Sequence, residues 1–192
     1  MLRGQIKPAI LIFLVLSIIT GIIYPFFITG IAQVFFPGQA NGSLIYQNGK
    51  PVGSALIGQG FNDPKYFWGR ISATSPVSFN AASSSGSNLG PSNPALLEAV
   101  KARVKTLRVS DPNNKNPIPV DLVTSSASGL DPHISLAAAY YQVPRIARLR
   151  GLSQDTIKAF IVKYTSGRLL GFIGESVVNV LELNLALDTY KK

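Results

Sequence analysis

The chain has 192 residues, a formal net charge of +9, 46% hydrophobic residues and no cysteine. This length accommodates one membrane span and one domain of roughly 150 residues. The lack of cysteine excludes disulfides and thiolate chemistry, and a single histidine cannot build a zinc site within the chain. The basic residues are scattered and do not alternate with aromatic residues, which argues against nucleic acid and favours membrane lipid headgroups or an acidic partner.

The first predicted element is a membrane span, because the segment Pro8–Phe36 contains no charged residue and no histidine. A bilayer core needs about 20 helical residues, whereas a cleaved secretory signal has an apolar centre of only about 7–15. We therefore predict an uncleaved transmembrane helix within residues 1–37. Arg3 and Lys7 precede it without any acidic residue, so we expect a cytoplasmic N-terminus and an extracytoplasmic domain over residues 38–192.

Small residues and a proline interrupt the predicted span. Ser17 and Gly21 are four residues apart, a spacing that lets a second helix pack closely, although the same residues could simply face lipid. Pro25 is expected to kink the helix or to mark where it leaves the hydrocarbon. The sequence alone leaves packing and lipid exposure equally open.

The region after the span begins with a predicted hairpin and a long loop. Asn48-Gly49 lies between two apolar runs, and both residues accept the positive φ of a tight hairpin turn. The segment from Ser72 to Asn93 is rich in Ser, Asn, Gly and Pro and contains few core residues. A structureless loop of this length is usually functional or disordered.

Helical signals dominate the remaining sequence. Asn93 and Pro94 fit an N-cap followed by the first helical residue, with one apolar face to Leu107. A second helix is expected from Asp131-Pro132 to Tyr141, with Pro144 as a break or new start and Gly151 as a stop. A third is capped by Ser153 and stops at Gly167.

The C-terminal part is harder to assign from local patterns. Residues Leu169–Ile173 resemble a short strand. The tail after Asn179 alternates like a strand, but Asn179 followed by Glu182 fits a capping arrangement, and we favour a helix. Together these elements predict an α+β domain anchored by a single N-terminal transmembrane helix.

No catalytic or metal-binding motif is convincing. The segment Ser125–His133 brings hydroxyls, a carboxylate and the sole histidine together, but adjacent residues seldom form a catalytic triad, and no G-x-S-x-G elbow is present. No calcium-loop spacing links Asp63, Asp121 and Asp131, and no phosphate-binding G-x-x-x-x-G-K motif occurs. The chemistry predicts a non-catalytic domain without a firmly bound cofactor or metal.

Several longer strings resemble a known family, the C subunit of the Kdp potassium-transporting ATPase. The resemblance runs in order over the whole chain, with small departures at Ile71 and Leu136, where the family usually has proline. The strings that carry it are Gly42–Ile45, Gly53–Gln59, Ser87–Pro91, Asp121–Thr124, Ser128–Ser135 and Val178–Leu181.

The resemblance implies a bacterial plasma-membrane complex with a channel-like potassium subunit, an ATP-hydrolysing P-type subunit and a small peptide subunit. ATP and potassium would then act at the level of the complex. The family is described as a catalytic chaperone that raises the affinity of the pump subunit for ATP, and the region of Gln142 and Arg145 is associated with nucleotide. An extracytoplasmic domain fits better with a lid or gate over the external potassium entrance. A membrane-anchored ligand-binding or sensor module is the alternative class.

We predict that the loop Ser72–Asn93 and the segment Ser128–Ser135 dock on the outer mouth of the channel-like subunit, since both are polar and long. Asn88, Asp131 and His133 are the expected contact residues. Asp131 could instead only cap the helix predicted to start there.

Overall fold

The computed structural model describes residues 3–190, which divide into two compact units at Leu44/Ile45. The first unit is helical. It comprises α1 (Arg3–Ile18), a π-helical segment (Ile19–Ile23), α2 (Tyr24–Phe35) and the short α3 (Pro37–Ala40).

The predicted span is present as a continuous helix. Residues Gly4–Phe35 have a mean hydropathy of 2.6 and are long and apolar enough to cross a membrane. The helix does not end at Pro25, which is the second residue of α2. Instead, the hydrogen-bond ladder widens to a π segment in the turn just before it. This local change accommodates a residue without a backbone N–H.

The second unit opens with the predicted hairpin of β1 (Leu44–Gln47) and β2 (Lys50–Ser54). Asn48 and Gly49 both have positive φ, at 51° and 74°, as the two-residue turn requires. The hairpin prediction is confirmed.

Side-chain caps define the helices α4 (Pro94–Ser110), α6 (Gln154–Lys163) and α7 (Val180–Thr189). Asn93, Ser153 and Asn179 accept hydrogen bonds from the backbone N–H groups of Ala95, Thr156 and Glu182, respectively. The helical tail is thereby confirmed. Helix α6 ends at Lys163, four residues before the predicted stop.

The predicted helix start at Asp131-Pro132 is wrong. His133–Ser135 is strand β3, which pairs antiparallel with β5 (Val177–Asn179), and β5 also pairs with β4 (Thr165–Ser166). Helix α5 (Leu136–Arg150) begins after this strand, capped by Ser135. No local pattern marks β3, because its partner strand lies more than forty residues away.

Two further predictions are corrected by packing. Pro144 lies inside α5, where the missing hydrogen bond is compensated by burial of Val143 and Ile146, and the helix ends as predicted at Gly151 in the left-handed conformation. Residues Leu169–Ile173 form an exposed turn, closed by one bridge, rather than a strand.

The core lies between α5, α6, α7 and the three-stranded sheet, with α4 packed against it through Val100, Val104 and Leu107. The sequence pattern also predicts Leu97 on the apolar face of α4, but this side chain is exposed. The loop from Ser72 to Asn93 contains no regular helix or strand, in agreement with the sequence.

Candidate partner-docking site

The two polar segments predicted to form a docking surface lie against each other. The Ser85 N–H and the Ser84 Oγ both donate to the Ser128 carbonyl oxygen at 3.0 Å, and the Ser72 Oγ donates to the Gly129 carbonyl oxygen at 2.7 Å. We call residues 72–93 and 125–132 together the loop pair. The sequence predicted the longer loop and a second docking segment at Ser128–Ser135, of which the last three residues are strand β3.

Two glycines make this contact possible. A Cβ on Gly86 would lie 2.7 Å from the Ala127 carbonyl oxygen, and one on Gly129 would lie 2.5 Å from the Ser85 carbonyl oxygen. Gly129 also has a φ of +69°, which other residues rarely adopt. Any larger residue at either position would push the loops apart.

Internal hydrogen bonds order the longer loop in place of a hydrophobic core. The Ser72 Oγ accepts from the Phe79 N–H at 2.8 Å, and the Thr74 Oγ1 donates to the Val77 carbonyl oxygen at 2.8 Å. Thr74 also accepts from the Asn80 N–H at 3.1 Å and is buried. The loop is therefore folded on itself, although its composition is that of a mobile segment.

Asp131 anchors one end of the loop pair and is not a helix cap. Its Oδ1 accepts from the His133 N–H at 2.9 Å and lies 3.4 Å from the His133 Nδ1, while its Oδ2 lies 3.1 Å from the Arg70 Nη1. Partial burial raises the pKa of Asp131, but the hydrogen bonds from His133 and Arg70 outweigh this and hold its pKa below the ordinary value. Its contribution to stability is thus present at neutral pH and is lost as the pH falls through that lowered pKa.

Arg70 completes this cluster and was missed by the sequence analysis. Its Nη2 donates to the Ser125 carbonyl oxygen at 3.2 Å, so one guanidinium holds both Asp131 and the segment around Ser125. The only available signal was its position before Ile71 in the family pattern. The long sequence separation between Arg70 and Asp131 hides the pair from local reasoning.

Asn88 lies apart from the Arg70–Asp131–His133 cluster, in the exposed part of the loop pair. Its backbone φ is +51°, and it follows Gly86 by two residues. Its role as a partner contact, like those of Asp131 and His133, stays a prediction.

Gln142 and Arg145 lie inside the core rather than at the surface. The Gln142 Oε1 accepts from the Trp68 N–H at 2.8 Å, and its Nε2 donates to the Trp68 carbonyl oxygen at 3.1 Å. The Arg145 Nη2 donates to the same Oε1 at 2.6 Å, and its Nη1 donates to the carbonyl oxygens of Pro64 and Tyr66. Both side chains therefore hold the 64–68 segment against α5.

Trp68 lies between two guanidinium groups. The Arg145 and Arg103 Cζ atoms are 4.3 Å and 5.2 Å from its ring centroid. Burial lowers the pKa of Arg145 to about 10, which still leaves it charged at neutral pH. In this arrangement any influence of Gln142 or Arg145 on a ligand would pass through the segment that they hold.

The remaining predicted sites are in the helical unit and among the acidic residues. Ser17 and Gly21 are exposed, and a Cβ on Gly21 would meet no atom within 4 Å, so a second helix has room to approach. That packing role stays a prediction. Within residues 3–190, no three His, Asp or Glu side chains are grouped so that they could hold a metal ion.

Comparison with known proteins gives a consistent assignment. Residues 6–189 match the family described as KdpC, K+-transporting ATPase, c chain. The chain is 60% identical to the potassium-transporting ATPase KdpC subunit of Ralstonia nicotianae, over 98% of this chain and 92% of that one. It is 60% identical to the KdpC subunit of Methylococcus capsulatus (98% and 99%) and 58% identical to that of Dechloromonas aromatica (100% of both). The chain therefore belongs to the KdpC family.

Proposed function

We propose that this chain is a non-catalytic accessory subunit of an ATP-driven potassium uptake complex, whose loop pair docks over the external potassium entrance of the channel-like subunit. The names of its relatives support membership in such a complex. The observation that carries the docking role is the ordered contact between two long polar loops. A surface ordered before binding loses less conformational freedom on association.

The charge of the loop pair fits a position over a cation entrance. The domain after the span carries sixteen basic and nine acidic residues, a net charge of +7. Between Ser72 and Asn93, and again between Leu122 and Leu130, no residue is charged. The loop pair would therefore present hydroxyls, amides and carbonyl oxygens to potassium without the repulsion that the rest of the domain would exert.

The second candidate is a catalytic chaperone that acts on ATP binding by the pump subunit. The burial of Gln142 and Arg145 argues against direct contact between these side chains and a nucleotide. ATP is also cytoplasmic, whereas the positive residues before the span favour a domain outside. Topology therefore separates the two candidates.

We expect a single cysteine at Lys115, an exposed position outside the loop pair, to react with an impermeant maleimide in cells with an intact plasma membrane. The chain has no cysteine of its own, so the label reports one site. A cysteine at Gln5, which precedes the uncharged stretch Pro8–Phe36, should react only after lysis. Labelling of Lys115→Cys only after lysis would exclude the gate and favour the chaperone.

The same maleimide labelling also shows whether the loop pair is covered in the complex. A cysteine at Ser87, exposed in the loop pair, should react when the chain is expressed alone and become protected when the partner subunits are present. Lys115→Cys should stay reactive in both cases. Equal labelling of Ser87→Cys in the two samples would place the interface elsewhere.

Asp131→Asn tests the polar contacts of the loop pair. The amide oxygen can still accept from the His133 N–H, but the charge facing Arg70 is lost. Because this ion pair is about 30% exposed, we expect a stability loss of only about 1 kcal/mol. A hydrogen bond between a charged group and a partner contributes about 1.5–3 kcal/mol, so complex affinity should fall roughly tenfold or more.

The matched control for Asp131→Asn is Asp155→Asn, which removes the same charge from an exposed ion pair with Lys158 on α6. We expect normal assembly and normal potassium-stimulated ATP hydrolysis for the control. Normal assembly of both Asp131→Asn and Asn88→Ala would show that the partner contacts lie outside the predicted residues.

A further inference from the structure

An exposed apolar hairpin projects from the three-stranded sheet. Residues 168–175 connect β4 to β5, and we call this segment the apolar hairpin. Its large side chains are largely solvent-accessible, with exposed fractions of 66%, 76%, 73% and 48% for Leu169, Leu170, Phe172 and Ile173. Four large apolar side chains exposed within five residues commonly mark a contact with a membrane or a partner protein.

Four backbone N–H groups of the apolar hairpin donate to carbonyl oxygens within the hairpin itself. Leu169 and Ile173 exchange two N–H···O bonds of 2.9 Å, and the N–H groups of Gly171 and Phe172 donate to the carbonyl oxygens of Arg168 and Leu169. Polar backbone groups without partners are strongly disfavoured in lipid. A turn that pairs its backbone internally can enter an apolar medium with its side chains foremost.

The apolar hairpin and the loop pair are at opposite ends of the sheet. In the antiparallel register, Ser135 faces Val177, next to the hairpin, whereas His133 faces Asn179 at the other end, next to Asp131. The Val180 N–H donates to the Pro132 carbonyl oxygen at that second end. The two surfaces therefore flank opposite ends of β3 and β5.

We propose that the apolar hairpin inserts into the headgroup and upper acyl region of the bilayer that the N-terminal helix crosses. Nine residues connect Phe35 to Ile45, and even fully extended they would reach at most about 35 Å. A domain of this size has a radius of gyration of about 15 Å, so the tether keeps all of its faces within reach of lipid. Insertion is thus an intramolecular event at high effective concentration.

The shape and charge of the apolar hairpin favour lipid over a protein pocket. It is a turn whose four large apolar side chains are exposed, and no acidic residue lies between Arg168 and Gly174. Glu175 is paired with Arg168 at 2.8 Å, and Lys163 lies on the α6 end that leads to β4. The single acidic residue of the hairpin is thus neutralised, and an apolar tip without net charge enters the lipid interface without the cost of burying an unpaired charge.

The test uses the full chain reconstituted alone in vesicles of phosphatidylcholine and phosphatidylglycerol whose acyl chains are brominated near the headgroup. Wild type contains one tryptophan, Trp68, which is buried at 4% exposure and serves as an internal reference. Phe172→Trp adds a reporter at the apolar hairpin. Val109→Trp adds one on α4, at a position with a similar exposed fraction of 71%.

We expect the bromine atoms to quench roughly half of the emission added by Phe172→Trp, as for an indole about 5–10 Å below the surface, and none of that added by Val109→Trp. Adding Leu170→Asp to Phe172→Trp should reduce the inserted population roughly tenfold. Equal quenching of the two tryptophan variants would overturn the proposal. A second sample contains the partner subunits in the same vesicles. If the emission of Phe172→Trp changes only in that sample, the proposal is also overturned, and the hairpin contacts a protein.

Discussion

Replacing Gln142 by leucine is expected to lower the free energy of unfolding of the domain by about 3 kcal/mol or more, which corresponds to a midpoint about 10 °C lower. The Gln142 amide is 1% exposed and makes four internal hydrogen bonds, to Trp68 N–H, Trp68 carbonyl, Arg145 and Ala138. Leucine has a similar volume but satisfies none of these groups. The penalty comes from burying several polar groups, one of them charged, without partners.

The fluorescence of Trp68 is a direct measure of this change, because it is the sole tryptophan and the Gln142 side chain holds its backbone. Gln154→Leu is the matched control, since Gln154 is exposed at the start of α6 and a surface substitution usually changes stability by less than about 0.5 kcal/mol. If Gln142→Leu unfolds at the wild-type temperature, the hydrogen bonds of Gln142 do not stabilise the 64–68 segment. A nucleotide phenotype at Gln142 should therefore appear together with a loss of stability.

Gly129→Ala is expected to destabilise the domain by about 3 kcal/mol and to separate the two halves of the loop pair. A residue with a Cβ is strained at a φ of +69°, and this Cβ would also lie 2.5 Å from the Ser85 carbonyl oxygen. Backbone atoms cannot swing aside as a flexible side chain does. The hydrogen bonds between Ser128 and the serines at 84 and 85 should therefore break.

Limited proteolysis provides the measurement for Gly129→Ala. We expect faster cleavage within residues 72–93 and weaker complex assembly, while the helices of the core remain protected. Gly90→Ala is the matched control in the same loop, because a Cβ there would meet no atom within 4 Å. Unchanged proteolysis of Gly129→Ala would show that the loops order independently of their contact.

The two predictions differ in what they test. Gln142→Leu perturbs the core that carries the loops, and it should affect every surface of the domain. Gly129→Ala perturbs the joint between the loops, and it should affect docking selectively. A complex that tolerates the second change but not the first would indicate that the loop pair is not the main contact.

The sequence by itself determined the features that depend on neighbouring residues. The uncharged stretch Pro8–Phe36 is long enough to cross a bilayer core. In lipid such a stretch can pair its backbone N–H and C=O groups only as a helix, so the stretch by itself predicts the span. Asn48-Gly49 fixes the hairpin, and Asn93, Ser153 and Asn179 fix helix starts, because a turn or a cap involves atoms within three residues. The ordered strings of residues likewise sufficed for the family.

Only the tertiary structure decided which distant segments meet. Strand β3 forms because β5, more than forty residues away, supplies its hydrogen-bond partners, and Pro144 is tolerated because burial of its helix outweighs one lost bond. The same holds for the site: Asp131 pairs with Arg70 across sixty-one positions, and Gln142 holds Trp68 across seventy-four. Such contacts gain their free energy from burial and from groups brought together by the whole fold, which no local pattern records.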